Sequence, residues 1–413
     1  MLCDINLEEA TELICSGVRM LESEETALIS AIGRINAEDV LSPVDQPPFP
    51  RSPLDGYAFF AADSEDAAPE NPAALMVVDK IYAGAWSDRT VRRGEAVKLM
   101  TGAAIPLGCD CVVRQEDTDG GEETVKVCKR LKPNENYCFA GEDYMKGDLL
   151  LPAFARIDPA AMAAIAGAGF ASLKLIRRPR VSVLSTGDEL TPPGEPLGNG
   201  KIYCGNNLYI EARLVEMGAE VIMSRIVRDD PDAMKACFEA ASAKSDAVIS
   251  TGGVSVGEKD LVVRVLESMG ADIIFHGVNI KPGSPAVFSK HKGARLLSLS
   301  GNPFASAASF ELLARPMFAA MTGDSTLRLA RASAELADDF NKKGGARRFI
   351  RGRFDGSAVH LPDGHSNGQI RSMIGCNCLV DVPADSAELK TGERVSVLLF
   401  PGAPISQPND LKG

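Results

Sequence analysis

Three glycine-bearing loops, each following a strand-like run, carry the residues whose types and spacing suggest chemistry. RVSVL leads into Ser185-Thr186-Gly187-Asp188-Glu189, and DAVIS into Thr251-Gly252-Gly253-Val254-Ser255-Val256-Gly257-Glu258-Lys259-Asp260. ARLLSLS leads into Ser300-Gly301-Asn302-Pro303 at a helix start. A glycine-rich turn opening into a helix leaves backbone N–H groups unpaired, and such groups bind phosphate or another oxyanion. Gly252, Gly253, Ser255, Gly257, Asn302 and Pro303 are the expected cradle. One such turn is often only a tight connection, but three in one region, two of them with carboxylates, point to a site. Carboxylates beside a phosphate repel it unless a divalent cation intervenes. Asp188, Glu189 and Asp260 are therefore read as Mg2+ ligands or as acid–base groups acting on a phosphate ester. Exposed caps of the following helices are their purely structural alternative.

Gly253-Val254-Ser255-Val256-Gly257 also matches G-x-S-x-G, the nucleophile elbow of α/β-hydrolases, with Ser255 as nucleophile. That rival needs an acid and then a histidine later in the chain. The histidines are His276, His291, His360 and His365, and no glycine-rich oxyanion loop follows an earlier strand. In the first half, the rigid turn Pro50-Arg51-Ser52-Pro53-Leu54-Asp55-Gly56-Tyr57-Ala58 presents Asp55. Met100 to Gly108 is a glycine–proline loop carrying Thr101, and Gly141-Glu142-Asp143 presents another acidic tip. Taken singly, each of these is ordinary turn chemistry. RRFIRGR, with Arg351 in it, concentrates four arginines as either a solvated strand face or a local anion site.

The elements that must position these loops are legible from periodicity. Between about 178 and 325, strand-like runs alternate with helical runs such as NNLYIEARLVEMG, DPDAMKACFEAASAKS and KDLVVRVLESMG. That alternation predicts a parallel, doubly wound α/β domain, in which ligands sit beyond the carboxyl ends of the strands. Residues 5–33 read as two helical stretches, with Leu7, Ala10, Ile14 and Val18 on one stripe. Val40 to about Gly147 reads as β structure with exposed loops, and Asp158 to Gly169 as a helix with Pro159 at its first position. RRFIRGRF, SAVHL, CLVDVP and RVSVLLF predict a small C-terminal β domain resembling a barrel. The expected division is a helical or linker domain from 1–45 and 145–177, a β-rich domain from 46–144, the α/β domain from 178–325, and the β domain from 326–413.

With 413 residues the chain is too long for one domain and needs no disulfide staples. Its net charge of −12 argues against general nucleic-acid binding, which needs a basic face. Ten cysteines include the pairs Cys109/Cys111 and Cys376/Cys378 but no zinc-finger spacing. They read as small buried side chains, and reduced thiols fit a cytoplasmic address. No run is long and apolar enough to span a bilayer, and the opening residues lack a signal-peptide pattern.

Taken in order, PPFPRSPLDGYAF, MTGAAIPLGCDCVV, AGEDYMKGD, RPRVSVLSTGDEL, STGGVSVGEKD, IKPGSP, SGNPFAS and HSNGQIRSMIGCNCLV resemble the molybdopterin molybdenumtransferase family, which includes bacterial MoeA and the gephyrin E domain. The resemblance implies an elongated four-domain protein, usually a homodimer, whose central domain is similar to a pterin adenylyltransferase and whose site is completed by partner-subunit loops. It implies a Mg2+-dependent insertion of molybdate into the dithiolene of adenylylated molybdopterin, with AMP released. Handover of that intermediate from a pterin adenylyltransferase is part of the same expectation. The family's acidic and polar site residues map onto Asp55, Thr101, Asp143, Glu189 and Asp260, and its oxyanion pocket onto Lys281, Pro282, Ser306, Arg351 and Ser372. A Lys, an Arg and two hydroxyls are sensible partners for a tetrahedral dianion.

This chain departs from the pattern at several places: Ser284 replaces the second lysine of KPGKP, Gly277 stands where a basic residue is frequent, Ser300 replaces a proline, and Arg51-Ser52-Pro53 replaces Asn-Ser-Ala. Each lost charged hydrogen bond is worth roughly 1.5–3 kcal/mol. The departures suggest a divergent paralogue, with tungstate preference or weaker activity. The alternatives are a pterin-binding scaffold without turnover and a pterin adenylyltransferase.

Overall fold

The computed structural model describes residues 1–254, 261–342 and 344–402. The chain forms two compact units, one of residues 1–24, 33–35 and 174 onward, the other of residues 25–32 and 36–173.

The first unit is built on a seven-stranded sheet. Its strand order is Leu2–Ile5, Asp272–Val278, Val287–His291, Ala294–Leu299, Ala247–Thr251, Arg180–Thr186, Glu220–Val227. The last four run parallel, so their carboxyl ends lie along one edge. The sheet is mixed where an all-parallel one was expected, because Val287–His291 is antiparallel to both neighbours. The short connection at Lys292-Gly293, both at positive φ, makes a hairpin there instead of a helical crossover. Strand residues alternate between the two faces: Val181, Val183, Ile249 and Leu297 enter one core, and Leu184, Val248 and Leu296 the other. Ile210 and Leu214 of helix Asn206–Glu216 cover the first face, and Met234 and Phe238 of helix Pro231–Ser242 the second. Burial on both faces makes these strands continuous apolar runs.

Residues 5–33 hold one α-helix, Leu7–Gly17, and only a single 3-10 turn, Leu28–Ser30, in place of a second. Asn6 caps it by accepting from the Glu9 N–H at 2.8 Å. Ser23–Ala27 is extended, since SEETA offers no apolar stripe to bury.

The helical run from Pro303 passes through Pro303–Ser309, a π-type turn at Phe310–Ala314, and Arg315–Thr322. The π turn carries Glu311, which is 0 % exposed. Its carboxylate accepts from Arg213 Nε at 2.7 Å and the Tyr209 hydroxyl at 2.9 Å, and also from Arg315 Nε. The C-terminal strands Ala330–Leu336, Arg347–Phe354, Ala358–His360, Cys378–Val382 and Arg394–Leu399 close into a small barrel. Ile280–Lys281 adds a two-residue parallel ladder to Arg347–Phe354.

The second unit is β-rich. Its five-stranded sheet runs Cys111–Arg114, Gly56–Phe59, Glu95–Leu99, Ala73–Ile81, Thr124–Val127, and helix Pro159–Gly167 lies outside it. Among the described residues no helix is long and apolar enough to cross a membrane. All ten cysteines are free; burial pushes the Cys109 and Cys378 thiols up to about 12, so they are packing residues.

Glu311→Ala would leave Arg315, 2 % exposed, without its counter-charge. Breaking a buried pair from one side costs about 3–5 kcal/mol. The urea midpoint is expected to fall accordingly, and an unchanged midpoint would refute this account.

Candidate active site

A cavity of about 760 Å³ opens at the carboxyl ends of the parallel strands. Its floor is the glycine turns. Gly252 and Gly253 have φ of 92° and 67°. An added Cβ would lie 2.4 Å from Thr186 O at the first and 2.8 Å from Val262 Cγ2 at the second. Glycine is therefore required both by conformation and by close packing. Gly301 approaches less closely but still tightly, its Cβ position lying 3.3 Å from Gly252 Cα.

Below the floor, Ser185 Oγ bonds Thr251 Oγ1 at 2.7 Å and donates to Asn207 Oδ1. Asn207 Nδ2 donates on to Ser224 Oγ at 3.2 Å. Asn206 Nδ2 holds Gly301 O at 2.8 Å. Satisfied buried networks of this kind fix one arrangement of the strand ends.

The cavity is electrically divided. Glu189 and Asp229 line it, following the two strands at one end of the parallel series. Lys281, Lys342, Arg348 and Arg351 line it from the barrel and the short ladder attached to it. Arg351 is 0 % exposed. Its Nη2 donates to Ser366 O at 2.9 Å and its Nη1 to Gln369 O, while Nε has no partner. The guanidinium lies 3.5 Å from the Phe304 ring centroid. Burial lowers its pKa to about 10, so it remains a cation at neutral pH. A buried cation bonded to carbonyls alone favours an anion beside it.

Of the residues expected from sequence, Glu189, Gly252, Gly253, Lys281, Pro282, Asn302, Pro303 and Arg351 line this one cavity. Asp188 is exposed; its carboxylate accepts from the Asp229 N–H at 3.3 Å and its carbonyl from Lys201 Nζ. Ser306 is buried in the first turn after Asn302, with its hydroxyl unpartnered, and does not line the cavity. Nor does Ser372, whose hydroxyl donates to Gln369 O at 3.3 Å. Ser255, Gly257 and Asp260 lie outside the described residues. Among the described residues no three His, Cys, Asp or Glu side chains form a metal cage. Mg2+ bound through one or two carboxylates and a substrate phosphate needs no cage, and Glu189 with Asp229 fits that chemistry.

In the second unit, backbone pairing joins the three first-half motifs. Arg51 and Cys138 exchange N–H···O bonds at 3.0 and 3.2 Å, Ser52 N donates to Ala103 O at 2.9 Å, and Asp143 N donates to Gln46 O at 2.9 Å. Asp55 Oδ1 accepts from both Thr101 Oγ1 and Thr101 N at 2.7 Å. Those two bonds, the hydroxyl first, hold the Asp55 carboxyl below its ordinary pKa. Asp55, Thr101 and Asp143 are all exposed.

Of the departures, Gly277 has a local reason. Gly277 has φ of 92° and a Cβ there would lie 2.4 Å from Asp4 Oδ1, so a basic residue would be strained in backbone conformation and would push the Asp4 side chain aside. In the Arg51-Ser52-Pro53 triplet only positions 51 and 53 depart from the pattern; the retained Ser52 donates from Oγ to Leu54 O at 2.5 Å and tightens the Asp55 turn. Ser284 and Ser300 both line the cavity. Sequence reasoning missed Asp229, hidden in a run that reads as a helix cap, and the lining side chains of Lys342, Arg348, Phe340 and His365.

The matches to known proteins cover the same ground. The family model described as the MoeA N-terminal region (domain I and II) matches residues 5–169. The one described as a probable molybdopterin binding domain matches 182–320, and that of the MoeA C-terminal region (domain IV) matches 333–400. A Staphylococcus aureus protein named molybdopterin molybdenumtransferase is 35% identical over 399 residues, 96% of this chain and 95% of the relative. Its Bacillus subtilis counterpart is 34% identical, over 96% and 94% of the two chains. The crystal structure of a molybdopterin biosynthesis MoeA protein from Pyrococcus horikoshii superposes with a TM-score of 0.85 at 31% identity, covering 97% of this chain and all of that one.

Thr101→Val removes one of the two donors to Asp55 and leaves the N–H in place. The Asp55 carboxyl pKa is expected to rise toward the ordinary aspartate value in a carboxyl carbon NMR titration; an unmoved titration would show that the hydroxyl does not set it.

Proposed function

The chain belongs to the MoeA family, and from that premise we propose that it inserts molybdate into the dithiolene of adenylylated molybdopterin and releases AMP. The observation that carries this reading is the divided cavity: carboxylates at one end, a glycine floor between, and cations at the other. A phosphoanhydride and a tetrahedral dianion are both anionic, so the cation end suits the dianion directly while the carboxylate end suits the phosphates once a divalent cation lies between them. Lys281 and Arg351 hold the oxyanion, with Pro282 shaping the wall. Gly252, Gly253, Asn302 and Pro303 receive the substrate's phosphates. Ser306, Ser372, Ser255 and Gly257 belong to the same set by resemblance.

Glu189, with Asp229, Asp188 and Asp260, would hold Mg2+ against the phosphates. When bound, that ion neutralises charge as the phosphoanhydride breaks. The chain's own part is to bind both substrates in one cavity and orient them. A turnover-free scaffold is not favoured, because the curated relatives matched over nearly their full lengths are named as transferases. Ten free cysteines support a cytoplasmic setting, with the intermediate handed over by a pterin adenylyltransferase.

Purified protein is expected to release AMP from adenylylated molybdopterin only when molybdate is present. Glu189→Gln should lower kcat by about a hundredfold or more, the range lost with an acid–base or charge-stabilising group. No release with either molybdate or tungstate would sink the proposal, and release with tungstate alone would make the oxyanion preference its correction.

We also propose a homodimer in which Asp55, Thr101 and Asp143 of one subunit complete the cavity of the other. Asp55→Ala and Glu189→Ala variants should each be inactive, yet random mixing should restore about a quarter of wild-type activity, since half the dimers carry one intact site. Mixtures as inactive as the parents would place both residues in one subunit's site.

A further inference from the structure

The cation end of the cavity contains more than the residues assigned above. Lys281 and Arg348 are in-register neighbours on the parallel ladder between Ile280–Lys281 and Arg347–Phe354, and both line the cavity. Neither forms an ion pair with a carboxylate among the described residues. Two like charges at adjacent strand positions are unfavourable unless an anion lies between them.

Phe340 organises this wall. It lines the cavity and is almost fully buried. The Arg348 guanidinium sits over its ring at 5.8 Å, and the His365 imidazole meets it edge-on at 5.3 Å with an interplanar angle of 83°. One aromatic ring thus restrains both an arginine and a histidine. His365 also lines the cavity, and its Nδ1 is buried without a hydrogen-bond partner. The charged groups acting on it are Arg351, Lys342 and Asp363. Burial is the leading reason that it is neutral at pH 7, with the two cations adding to the effect. A neutral imidazole with an open nitrogen offers a hydrogen bond without adding charge.

We infer that Arg348 and His365, seated on Phe340, contact the tetrahedral oxyanion directly and set which oxyanion this cavity accepts. The inference rests on the transferase reading and extends it to residues of the barrel wall. Arg348 closes the anion from the side facing Lys281, and Arg351 supplies fixed charge from behind. His365 adds a donor or acceptor whose fit depends on the protonation state of the anion. A fully deprotonated dianion such as molybdate, tungstate or sulfate accepts from Nδ1–H, whereas hydrogen phosphate can also donate to the unprotonated nitrogen.

Direct titration calorimetry of the full-length protein with molybdate, tungstate, sulfate and phosphate tests this independently of turnover. Arg348→Gln should weaken molybdate binding by roughly tenfold, the loss of one charge-assisted hydrogen bond, and Arg348→Lys should recover most of it. His365→Phe, which keeps the aromatic contact with Phe340, should alter the ratio of molybdate to phosphate affinity. Wild-type oxyanion affinities in both Arg348→Gln and His365→Phe would overturn the inference. So would equal losses for Arg348→Lys and Arg348→Gln accompanied by a lowered melting temperature, because that pattern marks a structural role. If the wild type binds none of these anions alone but still shows molybdate-dependent AMP release, this inference fails and the transferase reading stands. If neither binding nor release occurs, both fail.

Discussion

A guanidinium without a carboxylate governs how the α/β part and the barrel share a cavity. Removing Arg351 from water is costly, and the cost is offset here by stacking on Phe304 and by two backbone carbonyls. Those partners come from two places, the start of the helix at Pro303 and the 366–369 loop, and Arg351 itself sits on the strand Arg347–Phe354. Phe304 N–H closes the arrangement by donating to Asn367 O at 2.9 Å. A lysine would keep the charge but lose both the planar stack and the forked donors. Position 351 is therefore at once a source of positive potential and a joint of the architecture.

The acidic end depends on a different constraint, which is space. At Gly252 and Gly253 adjacent strand ends come so close that even a methyl group collides with backbone or a packed side chain, and Gly301 packs tightly against Gly252. The Ser185–Thr251–Asn207 network beneath them satisfies polar groups that this approach buries. The floor is thus made of main chain, and specificity is left to the two walls.

Much of this was legible in the sequence for reasons that can be named. Strands buried on both faces leave apolar runs, and helices of eight to twelve residues between them leave a periodic stripe, so the α/β domain declared itself. Strand-end glycines next to carboxylates marked the cavity, and Glu189, Lys281 and Arg351 do line it. Val287–His291 escaped because only Val287 and Phe288 of its five residues are apolar, too short a run to read as a strand. Phe340 and His365 escaped because their relation is tertiary: twenty-five positions apart in sequence, they meet only after the barrel closes. Asp229 escaped because an acidic residue ahead of a proline-started helix already has an ordinary explanation.

The strand Leu2–Ile5 pairs with Asp272–Val278, while the whole second unit lies between them in sequence. During synthesis those first residues emerge long before their hydrogen-bonding partner exists. Unit two can complete its own sheet from contiguous chain in the meantime, but the sheet edge at residues 2–5 must wait. A ribosome-bound chain halted before residue 272 would carry an unpaired strand, and that interval is when this protein is most exposed to misassociation.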